Sequence, residues 1–524
     1  MAINNGFDTR YHDINNTDTR RRKGGFFTPK VWVERSQEYI RACLGDDWQD
    51  NYYIWDCAAG TGNLLTGLTN KYNIYASTLD KQDVDVIKER INNDIQALPS
   101  HVFQFDFLND DFSRLPQSLQ DIISDPIKRK KLVIYINPPY AEAGSGVNKK
   151  KGKVGVSDTK IKVKYKDDMG RATNELYTQF LMRIHNEIKG CIIAEFSTLK
   201  ALQGPNFSVY RQHFKADLMR MFIVPGYTFD NVKGQFPIGF KIWNTDSNNV
   251  FKSTITDVYD KNNKNIGTKE LISYDGMRLI NEYIKEIKDI NNERIAYLGI
   301  SASDIQHSRL VFISSKNIDD SKKYITPNNL RYACIYYAVR KCIKATWMND
   351  GDQFLYPHDS YKSDIMFHND CLAYTLFTNN IQHKYCKDGN NYFIPFTEEA
   401  VNAKERYKTS FMTDYMNGKY TYKIDDLFNN GAYKNDKLVF SKEAQDVFEC
   451  AKRLYIYYHK QENSNPNAAL YDIKEYFQGR SNKGIMNAKS TDVYYTECLS
   501  AMNRALDVLR GSIAEKTYKY GFLI

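Results

Sequence analysis

The sequence predicts an α/β fold with a mostly parallel sheet in its first half and a mainly helical C-terminal region. Two observations carry this reading. Between residues 28 and 244, short runs rich in Ile, Val, Tyr and Phe, bounded by Gly, Pro, Asn or Asp, alternate with helical stretches. That alternation is the pattern of strand–helix–strand units. Beyond residue 245 helical stretches dominate and Tyr and Phe are frequent, a texture best read as core packing.

Taken in order, strands are expected at 52–57, 74–79, 102–106, 132–136, 191–196, 219–224 and 238–243, with helices at 30–44, 82–95 and 174–188. One stretch interrupts the pattern. Residues 141–172 hold eight Lys, one Arg and five Gly against four carboxylates, with no apolar periodicity. A long loop of this kind is either functional or a solvated insertion. Further helices are expected at 275–290, 328–347, 442–459 and 492–514, and 245–325 reads as a small module or a linker. The organisation expected is therefore a polar basic arm (1–25), an α/β domain (26–244) and a second region (245–524).

Composition narrows the class. At 524 residues, two or three domains are expected. With 42% hydrophobic and 26% charged residues the chain is neither wholly disordered nor fibrous. It has no apolar run of about 18 residues, so no membrane partner is expected. The first residues are polar and include Arg20, Arg21, Arg22 and Lys23 with no apolar core after them, unlike a secretory signal. Nine cysteines without a CxxC pair read as reduced thiols of a cytoplasmic, bacterial or phage-encoded protein. No metal cluster is visible, and none is expected. The net charge of +9 suits a polyanionic partner, although the abundance of Lys, Asn, Ile and Tyr also matches an AT-rich genome.

The chemistry lies in four strand ends. Residues 53–65, Tyr-Ile-Trp-Asp-Cys-Ala-Ala-Gly-Thr-Gly-Asn-Leu-Leu, run from a strand into a Gly-x-Gly turn. In doubly wound sheets a nucleotide-like ligand binds where strand ends meet helix starts, and Gly60 and Gly62 permit a sharp turn. The second strand ends at Asp80, about twenty residues on, where a carboxylate can accept both ribose hydroxyls. The third ends in Asp106 and Phe107, an acceptor for an adenine amino group beside a ring that can pack on the base. The fourth runs into Asn137-Pro138-Pro139-Tyr140. The prolines stop the ladder and stiffen the turn. Asn137 then offers a side-chain carbonyl and Pro138 a backbone carbonyl to one –NH₂ group, while Tyr140 offers a flat face.

The order Phe27-Thr28-Pro29, Asp56-x-x-x-Gly60-x-Gly62, Asp80, Asp106-Phe107 and Asn137-Pro-Pro-Tyr140 resembles the γ-class N6-adenine DNA methyltransferases. The resemblance covers about residues 20–244 and implies a Rossmann-like S-adenosylmethionine-dependent methyltransferase sheet. The second half is similar, less specifically, to the C-terminal portions of bacterial and phage N6-adenine methylase-like proteins. By this resemblance, Thr28 and Pro29 border the methionine end of S-adenosylmethionine. The loop from Asp56 through Ala58 to Gly62 wraps the same end. Asp80 holds the ribose, and Asp106 and Phe107 the adenine. Asn137, Pro138, Pro139 and Tyr140 hold the target base, and Phe236 packs on its other face. The sequence departs from the family pattern at Cys57, where a small residue is usual, and in the length of the 141–172 insertion.

The activity implied is methyl transfer to N6 of a flipped adenine in a specific double-stranded DNA sequence, by an orphan methylase or by the modification part of a restriction-modification system. No nuclease arrangement is visible, so any restriction endonuclease is expected to be a separate partner. Phosphate contacts are expected from Lys149, Lys150, Lys151, Lys153, Lys160, Lys162 and Lys164, and site readout from the second half. Two alternatives stand beside this. An NPPY site also serves methyltransferases of RNA adenine or of a protein glutamine, and a catalytically inactive DNA-binding subunit would share the motifs.

Overall fold

The computed structural model describes residues 27–140, 159–230, 232, 234–286, 289, 293–316, 323–426, 429–434 and 436–524. The chain divides into two compact units, the first made of residues up to Asp275 together with Thr346–Gly351, the second of Gly276–Ala345 and Asp352–Ile524.

The first unit is built on a nine-stranded sheet: β1 (Tyr53–Asp56), β2 (Ile74–Thr78), β3 (Val102–Gln104), β4 (Leu132–Ile136), β5 (Ile192–Thr198), β6 (Asp217–Pro225), β7 (Pro237–Asn244), β8 (Ser253–Tyr259) and β9 (Asn265–Ile272). Its order is β3-β2-β1-β4-β5-β7-β6-β8-β9. The pairs from β3 through β5 are parallel, and β7 lies antiparallel between β5 and β6. Side chains alternate across the strands and build a core on each face. Ile134, Ile136, Ile193 and Ile223 enter one core, while Val133, Tyr135, Ala194 and Phe222 enter the other. Burial on both sides explains why the fourth strand is apolar throughout.

Helix α1 (Lys30–Leu44) buries Trp32, Val33, Ser36, Tyr39 and Ile40, a stripe at helical spacing. Helix α2 spans Lys81–Arg90, shorter than the expected 82–95. Asn92 takes φ 69° and its N–H bonds the Ile95 carbonyl at 3.0 Å, so the Asn-Asn pair turns the chain out of the helix. Helix α3 (Leu176–Glu187) packs into the core that Ile134, Ile136 and Ile193 enter.

Three further expectations are corrected. The sheet does not end at 244, because β8 pairs with β6 and β9 with β8. The turn between them is closed by Asp260, whose carboxylate accepts from the N–H groups of Asn262 and Lys264, both at 2.9 Å. The insertion is not all loop: Lys160–Lys164, Lys166–Met169 and Gly170–Asn174 are short helical turns that bury Ile161, Met169 and Ala172. The helix expected at 275–290 is confined, among the described residues, to Ile280–Glu286.

The second unit combines helices α4 (Leu330–Cys342), α5 (Ile365–Leu376), α6 (Lys442–His459), α7 (Leu470–Gln478) and α8 (Val493–Lys519) with a three-stranded antiparallel sheet of β10 (Ala296–Gly299), β11 (Phe312–Ser314) and β12 (Lys323–Ile325). A hairpin of β13 (Thr421–Asp426) and β14 (Asn429–Lys434) joins them. Arg340, fully buried on α4, donates to the carbonyls of Ala302 at 2.7 Å and Asp304 at 3.1 Å and to the Ser308 hydroxyl at 3.2 Å. Those bonds satisfy a charge that would otherwise be costly to bury. Among the described residues, no helix is long and apolar enough to cross a membrane.

Candidate active site

The carboxyl ends of β1, β2, β3 and β4 open onto one cavity of about 470 Å³, within the usual range for small-molecule sites. It lies where the strand order reverses between β1 and β4, the place where such sheets bind ligands. Of the residues singled out in the sequence, Thr28, Asp56, Ala58, Gly60, Asp80, Asp106, Phe107, Asn137 and Pro139 line it. Pro29, Gly62, Pro138, Tyr140 and Phe236 do not line it.

Asp56 ends β1 and is 1% exposed. Its carboxylate accepts from the Ala58 N–H at 3.0 Å. Burial nevertheless pushes the carboxyl up to about 8, because one hydrogen bond does not replace the lost water. Cys57 is also buried, and burial raises its thiol well above the ordinary value, which leaves it unreactive.

The two turn glycines differ in role. Gly60 takes φ 53°, and a Cβ there would meet open space. Gly62 takes φ 85°, and a Cβ there would stand 2.8 Å from Ile95 Cδ1 and 3.2 Å from Ile87 Cγ1. Gly62 therefore serves the packing beneath the turn, whereas Gly60 faces the cavity. Gly62→Ala is expected to lower stability by about 1–3 kcal/mol, the scale of overpacking, with ligand affinity kept in the folded fraction. Chemical denaturation alongside calorimetry checks this.

Asp106 is fastened in its loop. It accepts from the Leu108 N–H at 3.0 Å and from Asn109 Nδ2 at 2.9 Å. Arg183, buried on α3, donates to the carbonyls of Phe107 and Asp110 and pairs with Glu187 at 2.8 Å. Phe107 is 3% exposed and stacks on Phe180 with centroids 5.0 Å apart, so only part of its ring borders the cavity. By contrast Leu79 is 51% exposed at the cavity wall beside Asp80. Sequence reasoning missed Leu79, Arg183 and Phe180. An apolar residue immediately before the strand-end acid was a visible signal for the first, but Arg183 lies 76 residues beyond Phe107, which it holds, and Phe180 stands on the same distant helix.

Asn137 Nδ2 donates to Thr28 Oγ1 at 2.8 Å, and the Tyr140 hydroxyl donates to Asn137 Oδ1 at 2.5 Å and to the Phe196 carbonyl at 3.2 Å. The Tyr140 ring packs against the core on the same face as Phe236. The hydroxyl is thus used to orient Asn137, a role that an account based on the ring face alone overlooks.

No protein-family model matches the chain. No curated protein matches it. Solved structures do resemble it. The type IIL restriction-modification enzyme MmeI in complex with DNA aligns over 96% of this chain and 78% of its own, at 11% identity and a TM-score of 0.36. The type IIG restriction endonuclease BpuSI aligns over 94% of this chain and 67% of its own, at 14% identity and a TM-score of 0.31. The DrdV–DNA complex aligns over 47% of this chain, at 17% identity and a TM-score of 0.36, and this chain spans only 28% of the DrdV chain.

Of the lysines singled out for phosphate contact, Lys149, Lys150, Lys151 and Lys153 lie outside the described residues. Lys160 is exposed, and its N–H bonds Asn109 Oδ1 at 3.0 Å. Lys162 is half-buried on the same short turn. Lys164 pairs with Glu187 at 2.7 Å, an exposed pair of little energetic weight. Among the described residues no three His, Cys, Asp or Glu side chains are placed to hold a metal.

Proposed function

We propose that this protein is an S-adenosylmethionine-dependent DNA methyltransferase acting on N6 of a flipped adenine in a specific DNA sequence. It would act as an orphan methylase or as the modification part of a restriction-modification system. One observation carries the reading: three strand-end carboxylates and the amide of Asn137 face a single cavity at the point where the strand order reverses.

The residues present fit the cofactor. Asp56 is a buried acid at the cavity wall, suited to an ammonium group. Gly60 leaves open space above the turn. Leu79 offers an apolar surface next to the Asp80 carboxylate, as a base beside a ribose requires. When bound, S-adenosylmethionine supplies an activated methyl group, so the protein's part is binding, orientation and electrostatics. Asn137 Oδ1 and the Pro138 carbonyl accept from the amine of the target base and orient its lone pair. Thr28 and Tyr140 hold the Asn137 amide so that it need not reorganise as the nitrogen becomes tetrahedral. Extruding the base costs a few kcal/mol, which phosphate contacts offset.

Asp56 makes the cofactor site pH-dependent. Its carboxyl sits at about 8, so below that pH the ligand-free protein holds it protonated. A ligand ammonium favours the carboxylate, so binding releases a proton. Affinity should rise with pH toward about 8 and fall once the ligand's own ammonium loses its proton, and Asp56→Asn should abolish the rise. Calorimetry in two buffers of different ionisation enthalpy reads the proton directly.

The function itself is tested by incubating the full chain with methyl-labelled S-adenosylmethionine and duplex DNA, RNA or protein, then mapping the modified position. Label at adenine N6 in duplex DNA supports the reading, and label confined to RNA or to a glutamine amide overturns it.

A further inference from the structure

A finger of chain at 479–489 leaves the end of α7 in the second unit. Gly479 takes φ 65° and ends the helix. Two short antiparallel arms follow, with Arg480 bridged to Met486 and Ser481 N–H bonded to the Ile485 carbonyl at 2.8 Å. Gly484, at φ 72° with open space around it, makes the tip turn. The base is tied twice, since Gln478 Nε2 donates to the Asn487 carbonyl at 2.7 Å and Asn487 Nδ2 donates to the Gln478 carbonyl at 2.9 Å. Arg480 braces the tip from within. It donates to the Gly484 carbonyl at 2.7 Å and pairs with Glu475 at 2.7 Å.

This finger is well bonded and yet almost wholly exposed. Asn482, Lys483 and Ile485 stand at its tip in solvent, Ile485 being 66% exposed. From Gly479 to Thr491 the chain carries Arg480, Lys483 and Lys489 and no carboxylate. A loop that served only to connect α7 and α8 would gain nothing from bracing its tip, and a solvated tip would not favour Ile. Rigid shape, positive charge and a tip mixing amide, ammonium and aliphatic groups together suit one partner. The major groove of DNA admits a two-stranded ribbon, is walled by phosphates, and displays amide partners on adenine and methyl groups on thymine.

We propose that the 479–489 finger enters the DNA major groove, with Asn482, Lys483 and Ile485 reading base edges and Lys489 neutralising a phosphate. This rests on the reading of the protein as a DNA methyltransferase. Arg480 is a positioning residue that keeps the tip in shape.

The test uses the full chain, S-adenosylmethionine and a sequence-randomised duplex library, with methylated motifs read by sequencing. The triple variant Asn482→Ala, Lys483→Ala, Ile485→Ala changes only exposed side chains. It should bind the cognate duplex about tenfold or more weakly, the scale of one lost base contact, and should methylate a motif relaxed at one or more positions. Cofactor affinity should stay unchanged. Lys489→Ala should weaken cognate and random duplexes alike and lower the salt slope by about one. A triple variant with the wild-type motif and affinity overturns the finger while leaving the methyltransferase reading intact. A wild-type protein that leaves duplex DNA unmodified overturns both.

Discussion

Asn137→Ala should lower the rate of methyl transfer by about 10²–10³-fold, the cost of removing one preorganised polar group at the reacting centre. Cofactor affinity should hardly change. The amide lies at the end of β4 on the cavity wall, anchored by Thr28 on one side and Tyr140 on the other. In the proposed reaction its bond to the base amine would matter most as that nitrogen gains charge, so the loss should fall on the chemical step and not on ground-state binding. The neighbours grade the effect. Tyr140→Phe keeps the ring but removes the bonds to Asn137 and Phe196, and a several-fold loss is expected. Tyr140→Ala removes the ring as well and should be severe. Single-turnover kinetics with labelled S-adenosylmethionine separate these steps. Wild-type transfer by the Asn137→Ala protein would sink the assignment.

Glu195→Ala should destabilise the first unit by about 3–5 kcal/mol, the scale of breaking a buried ion pair from one side. Glu195 and Lys241 are direct partners across β5 and β7. They are 0% and 1% exposed, with Nζ and Oε1 3.0 Å apart. Lys241 also donates to Ser197 Oγ at 2.8 Å and to the Gly239 carbonyl at 3.1 Å. Burial pulls the ammonium below the ordinary lysine value even with its partner present. Without Glu195 that depression deepens. Between the lowered folded value and the ordinary one, the unfolded chain then binds more protons, so the variant's stability should rise with pH. Replacing both residues, Glu195→Leu with Lys241→Met, should cost far less, since neither charge is left alone. Denaturant melts of the wild type, Glu195→Ala and the double variant at two pH values decide this. Equal stability of the wild type and Glu195→Ala would show that the pair carries no weight.

What the sequence alone determined is local. Leu-Val-Ile-Tyr-Ile is apolar at every position because both faces of β4 are covered, and that requirement is written in five consecutive residues. α1 and α6 follow in the same way, since their stripes repeat at helical spacing within one element. Asp56, Asp80, Asp106 and Asn137 could be singled out because each stands where a strand stops, and strand ends are visible in a linear pattern.

The tertiary structure decided what depends on distant partners. β8 and β9 expose much of their length, so their polar alternation resembled a linker until β6 supplied an edge to pair with. The roles of Gly60 and Gly62 parted only when Ile87 and Ile95 were seen to pack beneath one of them. Phe107 was drawn into the core by Phe180, and Tyr140 was turned toward Asn137 and Phe196 by hydrogen bonds. In each case the residue's own chemistry allowed two uses. Burial and hydrogen-bond satisfaction, which are set by the surroundings and not by sequence neighbours, chose between them.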